Sequence, residues 1–317
     1  MKKTLRVFVL AVLAVLGSGP VFADSEPQLD HADVDIGNTA GLRSGARTFV
    51  DYCVNCHSAS LMRYKRLTDV GFSEQQIRDE LVFVGDKKVS RMMDVSMTRS
   101  DAKLWFGAAP PDLSVIARSR SADWLYSYLR AFYRDPLTPS GWNNLVFEHA
   151  AMPHALWQLQ GNSVLDVQRF RTRKEAEAAR ARIMSYSVIE ETTEDIGGRE
   201  TTLYALKSIR TETPGTLSQP QYDQTVRDLV GFLVWMGEPN QILRKKAGIP
   251  VLVFCFIFVW LTWLLYREFW KDLREDVGEH AAAGARARVA TGIPQTEPLQ
   301  PANECPAIPY DSRVETA

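Results

Sequence analysis

Residues 52–57 read Tyr-Cys-Val-Asn-Cys-His and hold the densest set of reactive side chains in this 317-residue sequence. Cys53 and Cys56 are three apart, so on a helical turn both thiols face one side, and the imidazole of His57 follows at once. Two thiols at that spacing can form thioethers with the two vinyl groups of a haem, while the adjacent histidine reaches the iron; this is the c-type attachment signature. Competing chemistries fit less well. A thioredoxin-like redox pair wants a βαβ context, which the flanking sequence lacks. A zinc site needs two more ligands at a suitable spacing. The other two cysteines, Cys255 in an apolar run and Cys305 in a Pro-rich tail, are far away, which also argues against a disulfide framework.

A haem iron held by one histidine leaves a sixth position. The candidates are Met62, Met92, Met93, Met97, Met152, Met184, Met236, His149 and His154. Met92, Met93 and Met97 have helix-like spacing and read as core or surface fillers. Met152 stands in EHAAMPHALWQLQG, directly before Pro153, which stiffens the loop and removes a donor beside the sulfur. On spacing alone, Met152 and a histidine ligand remain open alternatives.

The elements that must position these groups read as mainly helical. LRSGARTFVDY places Leu42, Ala46, Phe49 and Val50 at helical spacing and leads directly into Cys53. Ser73 with Gln76 three residues later marks the start of a second helix. Residues 121–133 and 221–239 give two more, the last ending at a Gly and a Pro. Residues 165–184, rich in Arg, Glu and Ala, suggest a solvated helix, and the β-prone halves around Gly197-Gly198 suggest a hairpin. The opening acidic segment, with Asp30, Asp33 and Asp35, reads as a solvated arm or, with EETTED at 190–195, as a surface that steers a basic partner.

The chain is bracketed by two apolar runs. The first, Val7 to Leu16, follows three basic residues and is too short to span a bilayer; with the small-residue pattern Val21-Phe22-Ala23 after it, the segment reads as a signal peptide over 1–23. The second is the uncharged stretch 247–266, which as a helix reaches about 30 Å, the thickness of the hydrocarbon core. Basic residues flank both of its ends, so orientation rests on the signal, which exports the body (24–246) and leaves a tail (267–317), read as disordered, in the cytoplasm. With 37 Lys and Arg against 38 Asp and Glu, the balance argues against a nucleic-acid binder.

Several stretches together resemble the cytochrome c1 family, the haem subunits of cytochrome bc1 complexes: GARTFVDYCVNCHSASLMRYKRL, GAAPPDLSVIARSRSADWLYSYL, AMPHALWQLQG, and DQTVRDLVGFLVWMGEP followed by one C-terminal span. They cover most of the body in order, leaving 162–215 as an insertion. The resemblance implies a c-type cytochrome domain that is mainly α with a small β-hairpin insertion, plus one C-terminal transmembrane helix. It implies one haem c on Cys53, Cys56 and His57, Met152 as sixth ligand, Pro111 of the PPDLS loop against the haem, and Arg120 on a propionate. Trp124 stands near where the family often has a tyrosine that contacts a propionate. The implied function is transfer of an electron from a Rieske iron–sulfur protein to a soluble cytochrome c, beside cytochrome b. The implied setting is a bacterial inner membrane, with the haem domain periplasmic and no side chain catalytic. The rival readings are an anchored monohaem subunit of another respiratory enzyme, a haem-based sensor and a purely structural membrane subunit.

Overall fold

Helix α1 (Thr39–Tyr52) begins where the Asn38 side chain accepts a hydrogen bond from the Gly41 N–H at 3.1 Å, satisfying one of the donors left over at a helix start. Its apolar stripe, Leu42, Ala46, Phe49 and Val50, is buried against helix α7 (Gln219–Gly237). α7 has its own start signal: the Ser218 N–H donates to Gln221 Oε1 at 3.0 Å, and Pro220 occupies the first turn. The two helices cross at Gly45, where a Cβ would stand 2.1 Å from the Asp228 carbonyl oxygen. Beyond the crossing, Phe49 packs on Phe232 at 5.6 Å between ring centroids.

This computed structural model describes residues 28–83, 88–95, 97–195, 197 and 200–290. The expected signal segment, the end of the tail with Cys305, and Gly198 lie outside them. After α1 come strand β1 (Ala59–Arg63), a 3₁₀ stretch Tyr64–Val70, a capped turn Glu74–Gln76 and a π-helical turn Ile77–Leu81. Strand β2 (Met92–Met93) pairs antiparallel with β1. The Met92, Met93 and Met97 spacing is therefore not helical: Met93 is a fully buried strand residue whose side chain fills the core. Helices α2 (Arg99–Phe106), α3 (Ile116–Arg120) and α4 (Ala122–Arg130) follow, then the short antiparallel pair β3 (Phe132–Arg134) and β4 (Trp142–Asn144) and the turn of α5 (Trp157–Gln160).

Residues 161–214 form an antiparallel sheet of three strands, β5 (Gly161–Phe170), β6 (Ser187–Asp195) and β7 (Glu200–Pro214), with helix α6 (Arg173–Arg180) between β5 and β6. The expected hairpin is present as β6–β7, with Asp195 opposite Glu200. The solvated helix is confined to α6, because Val164, Leu165, Val167 and Phe170 are β-prone and β7 offers them a second edge, pairing Phe170 with Tyr204.

The acidic arm is not simply solvated. Ala32 is fully buried, its N–H donates to Asp123 Oδ1 at 2.8 Å, and its carbonyl accepts from Arg227 Nε at 3.0 Å. Asp30 reaches Arg130, a buried guanidinium that also holds Asp223 of α7. The contacts are Nη1 to Asp30 Oδ2 at 2.6 Å, Nε to Asp223 Oδ1 at 2.7 Å and Nη2 to the Met184 carbonyl at 3.2 Å. Five donors in a planar fork let one arginine join the arm, α4, α7 and the segment entering β6.

The chain divides between Arg244 and Lys245. Helix α8 (Gln241–Ala290) carries the apolar run; its part Gln241–Lys271 is long and apolar enough to cross a membrane, with mean hydropathy 2.4 in its most apolar window. The helix does not end at Tyr266. Residues 267–290, expected to lack structure, continue it, as a run rich in Ala, Arg and Glu with no proline before Pro294 favours.

Arg130→Met is expected to lower stability by about 3–5 kcal/mol, because two carboxylates lose their shared partner inside the protein. Urea unfolding of the purified protein, followed by circular dichroism, measures it; an unchanged midpoint would show that the three-way contact does not hold the body together.

Candidate functional site

The last turn of α1 delivers the reactive residues without a break. Cys53 N–H bonds to the Phe49 carbonyl at 2.9 Å, and Cys56 and His57 both bond back to the Cys53 carbonyl, at 3.1 and 2.9 Å. Both thiols and the imidazole therefore sit on one tight turn, and all three line a cavity of about 290 Å³. Its walls come from α3 and α4 (Ile116, Leu125, Leu129), from α7 (Leu229, Leu233), from the loop 106–113 and from the loop 147–155. Burial pushes the Cys53 thiol up to about 12, the neighbouring Cys56 adding to it, and burial raises Cys56 as well. Neither is in a disulfide.

His57 Nδ1 lies 2.7 Å from the Pro111 carbonyl oxygen. A carbonyl only accepts, so Nδ1 carries the proton and the lone pair belongs to Nε2, the tautomer that a metal-binding imidazole needs. Burial lowers the imidazole pKa, outweighing the Pro111 bond and the Asp112 charge, which favours the neutral ring. The loop that presents this carbonyl is itself pinned. Asp112 accepts from the Ser60 and Ser114 N–H groups, each at 2.8 Å, Leu113 N–H donates to the Ser58 carbonyl at 2.8 Å, and the Ser114 hydroxyl accepts from Leu61 N–H at 3.0 Å. Pro111 thus acts on the site through its carbonyl as well as by lining the cavity. Asp112 and Ser114 were not singled out from sequence; the Asp-x-Ser pattern directly after two prolines was the available signal.

Met152 lines the same cavity, whereas His149 and His154 do not. The loop that carries it is held at its start by two asparagines. Asn143 Oδ1 accepts from His149 N–H at 2.9 Å, and Asn144 Oδ1 accepts from Val146 and Phe147 N–H at 2.8 and 3.2 Å. His149 takes a left-handed backbone, φ 58°, which turns the chain there. His154 is buried away from the cavity lining, stacked on Phe132, and burial pushes its imidazole down to about 4, with Gln160 opposing and Arg134 assisting. Arg120, exposed at the end of α3, lies over the Trp124 ring at 4.9 Å, and both line the cavity. Trp124 stacks on Tyr128 at 4.8 Å, and Tyr128 reaches the cavity too, its hydroxyl raised to about 12 by burial. A tyrosine is therefore present at the wall one helical turn after Trp124, which the sequence reading did not find.

Two thiols, a neutral imidazole with its Nε2 lone pair free and a thioether sulfur around one apolar cavity form a donor set that fits haem c.

Residues 34–162 and 214–273 match the family model described as Cytochrome C1 family. The gap between the matches, 163–213, falls within the three-stranded sheet and its helix. The chain is 40% identical over 272 residues to the ammonia monooxygenase gamma subunit of Nitrosomonas europaea, covering 85% of this chain and 100% of that protein. It is 38% identical over 272 residues to cytochrome c1 of Allochromatium vinosum, with the same coverage. It is 30% identical over 256 residues to the mitochondrial cytochrome c1-2 heme protein of Solanum tuberosum, covering 75% of this chain and 79% of that one.

Burial alone would raise the Asp112 carboxyl, but hydrogen bonds from Ser114 and Ser60 outweigh it and hold the group below the usual carboxylate range. A depressed carboxylate adds stability above its unfolded pKa of roughly 3.9, lost as pH falls through the lower folded value. Asp112→Ala should cost about 1 kcal/mol at neutral pH, solvent exposure keeping it at the low end, and the difference from wild type should vanish in acid. Paired urea titrations at pH 7 and pH 3 test this; a pH-independent difference would mean the carboxylate is not the source.

Proposed function

The chain belongs to the cytochrome c1 family, and we propose that it is the haem c-bearing electron-transfer subunit of a bc1-type complex that takes its electron from a Rieske iron–sulfur protein and passes it to a soluble cytochrome c, seated beside cytochrome b. When bound, the haem supplies a one-electron iron couple. Cys53 and Cys56 hold it by thioethers, which prevent its loss, and His57 Nε2 and the Met152 sulfur ligate the iron. Arg120, at the cavity wall beside Trp124, takes a propionate. The observation that carries the reading is the His57–Pro111 bond, which leaves Nε2 as the free nitrogen of a ring lining the same cavity as Met152.

A thioether is a soft, weak donor, so His/Met ligation favours the reduced state and raises the potential, as an acceptor from a Rieske centre requires. The apolar walls act in the same direction by disfavouring the extra positive charge of the oxidised state. No side chain moves a proton in this scheme; the residues hold, orient and keep water away.

Met152→Leu should abolish the ferric sulfur-to-iron absorption band and lower the potential, each 59 mV lost being about tenfold in a one-electron equilibrium. His149→Ala should leave both unchanged. A Met152→Leu protein that keeps the band and the wild-type potential has its ligand elsewhere.

A second reading is favoured by the relative that carries a monooxygenase gamma-subunit name: an anchored monohaem subunit of another oxidising system. Purification in mild detergent separates the two, since co-isolation of cytochrome b and a Rieske protein supports the first and co-isolation of a different enzyme supports the second.

In the same proposal, residues 1–23 are removed as a signal, the body 24–246 is periplasmic, 247–266 spans the bacterial inner membrane and the tail from 267 is cytoplasmic. Cys305 should then resist an impermeant thiol reagent in intact cells and label after lysis; ready labelling of intact cells would reverse the orientation.

A further inference from the structure

His154 has no place in the cavity, yet it is one of the most buried polar side chains in the body, 2% exposed. Its ring stacks on Phe132 at 4.9 Å with 8° between the planes, and meets Trp142 edge-on at 5.0 Å. Packing alone would be served as well by phenylalanine, so the nitrogen atoms call for an account. His154 Nε2 has no hydrogen-bond partner among the described residues, and the same holds for Oε1 of Gln160, 5% exposed. The Gln160 amide lies beside the imidazole, and its Nε2 donates to the Arg130 carbonyl at 3.4 Å. Two complementary buried polar groups side by side are less costly closed on each other than left open.

We propose that His154 and Gln160 form a polar couple, closed directly or through one buried water, that positions the Met152 sulfur by fixing the far end of its loop. The inference rests on Met152 being the sixth ligand. The loop's start is already tied by Asn143 and Asn144, and Met152 lies between those ties and His154, two residues on. The His154 carbonyl accepts from Trp157 N–H at 3.3 Å, opening α5, whose last residue is Gln160. The couple thus closes a short ring of chain and anchors it, through the Arg130 carbonyl, to α4, which walls the cavity. His154 and Gln160 are positioning residues: neither touches the cavity.

The test uses the full-length haem-loaded protein in detergent and reads carbon monoxide binding to its ferrous form, which a firmly held sulfur resists. His154→Phe keeps the aromatic packing and removes the nitrogen; Gln160→Leu cuts the couple from the other side without altering the loop. Each should speed carbon monoxide binding by roughly tenfold, and the double variant should be no faster than the faster single, the non-additivity expected of one shared interaction. His154→Gln, which restores a polar partner, should recover part of the resistance. Wild-type resistance in both singles, or fully additive effects in the double, overturns the couple. Should either single fail to load haem, the other carries the same comparison. Met152→Leu is the control: if it retains the sulfur-to-iron band, the ligand assignment fails, whereas loss of that band with inert His154→Phe and Gln160→Leu proteins rejects this inference alone.

Discussion

The close crossing of α1 and α7 at Gly45 is the contact on which the site depends. Glycine is required there because any side chain would collide with the backbone of the opposing helix rather than with a movable side-chain end. Bringing the two axes this near lets Phe49 and Phe232 meet one turn further on, and the same turn of α1 then releases Cys53 into the cavity wall. On the other helix, Leu229 and Leu233 reach the cavity from residues adjoining the crossing. A wider crossing would part the thiols from their apolar wall. The position of the attachment turn is thus set by backbone proximity, before any polar contact is considered.

Polar contacts then set orientation. The Pro111 carbonyl fixes the proton on His57 Nδ1, and the serines and aspartate beneath it stop the loop from turning that carbonyl away. The Met152 wall uses the same device with different residues: asparagine side chains satisfy the backbone of its loop where no helix or sheet can. Apolar packing supplies the depth of the cavity and side-chain-to-backbone bonds supply its aim. That division explains why so few of its walls are charged.

The sequence made the local parts of this legible. The attachment turn is contiguous, so its chemistry needs no fold to be read, and α1 and α7 announce themselves through caps and apolar stripes. What escaped is whatever depends on distant pairing. β5 has β-prone residues but no turn beside it to mark a hairpin, and its partner begins thirty residues later. Asp30 looked like a solvated acid because its cation lies 100 residues further on, at the end of α4. Tyr128 was hidden behind Trp124, since only the helical turn between them brings both to one wall. The choice between Met152 and its flanking histidines could not be made from spacing because it turns on which side of the loop faces inward, a property of the asparagine ties and of the His154 ring packing.

Arg130 also bears on how the chain can come together. Its two carboxylate partners lie 100 residues before it and 93 after it. A chain emerging from its N-terminus can pair Asp30 with Arg130 once α4 is out, but it cannot complete the three-way contact until α7 has followed nearly the whole body. Contacts of such long sequence separation form late and slowly, because the loops they close must be ordered first. The full tie therefore closes late, and a chain cut short before Asp223 would lack the part of it that joins Arg130 to α7.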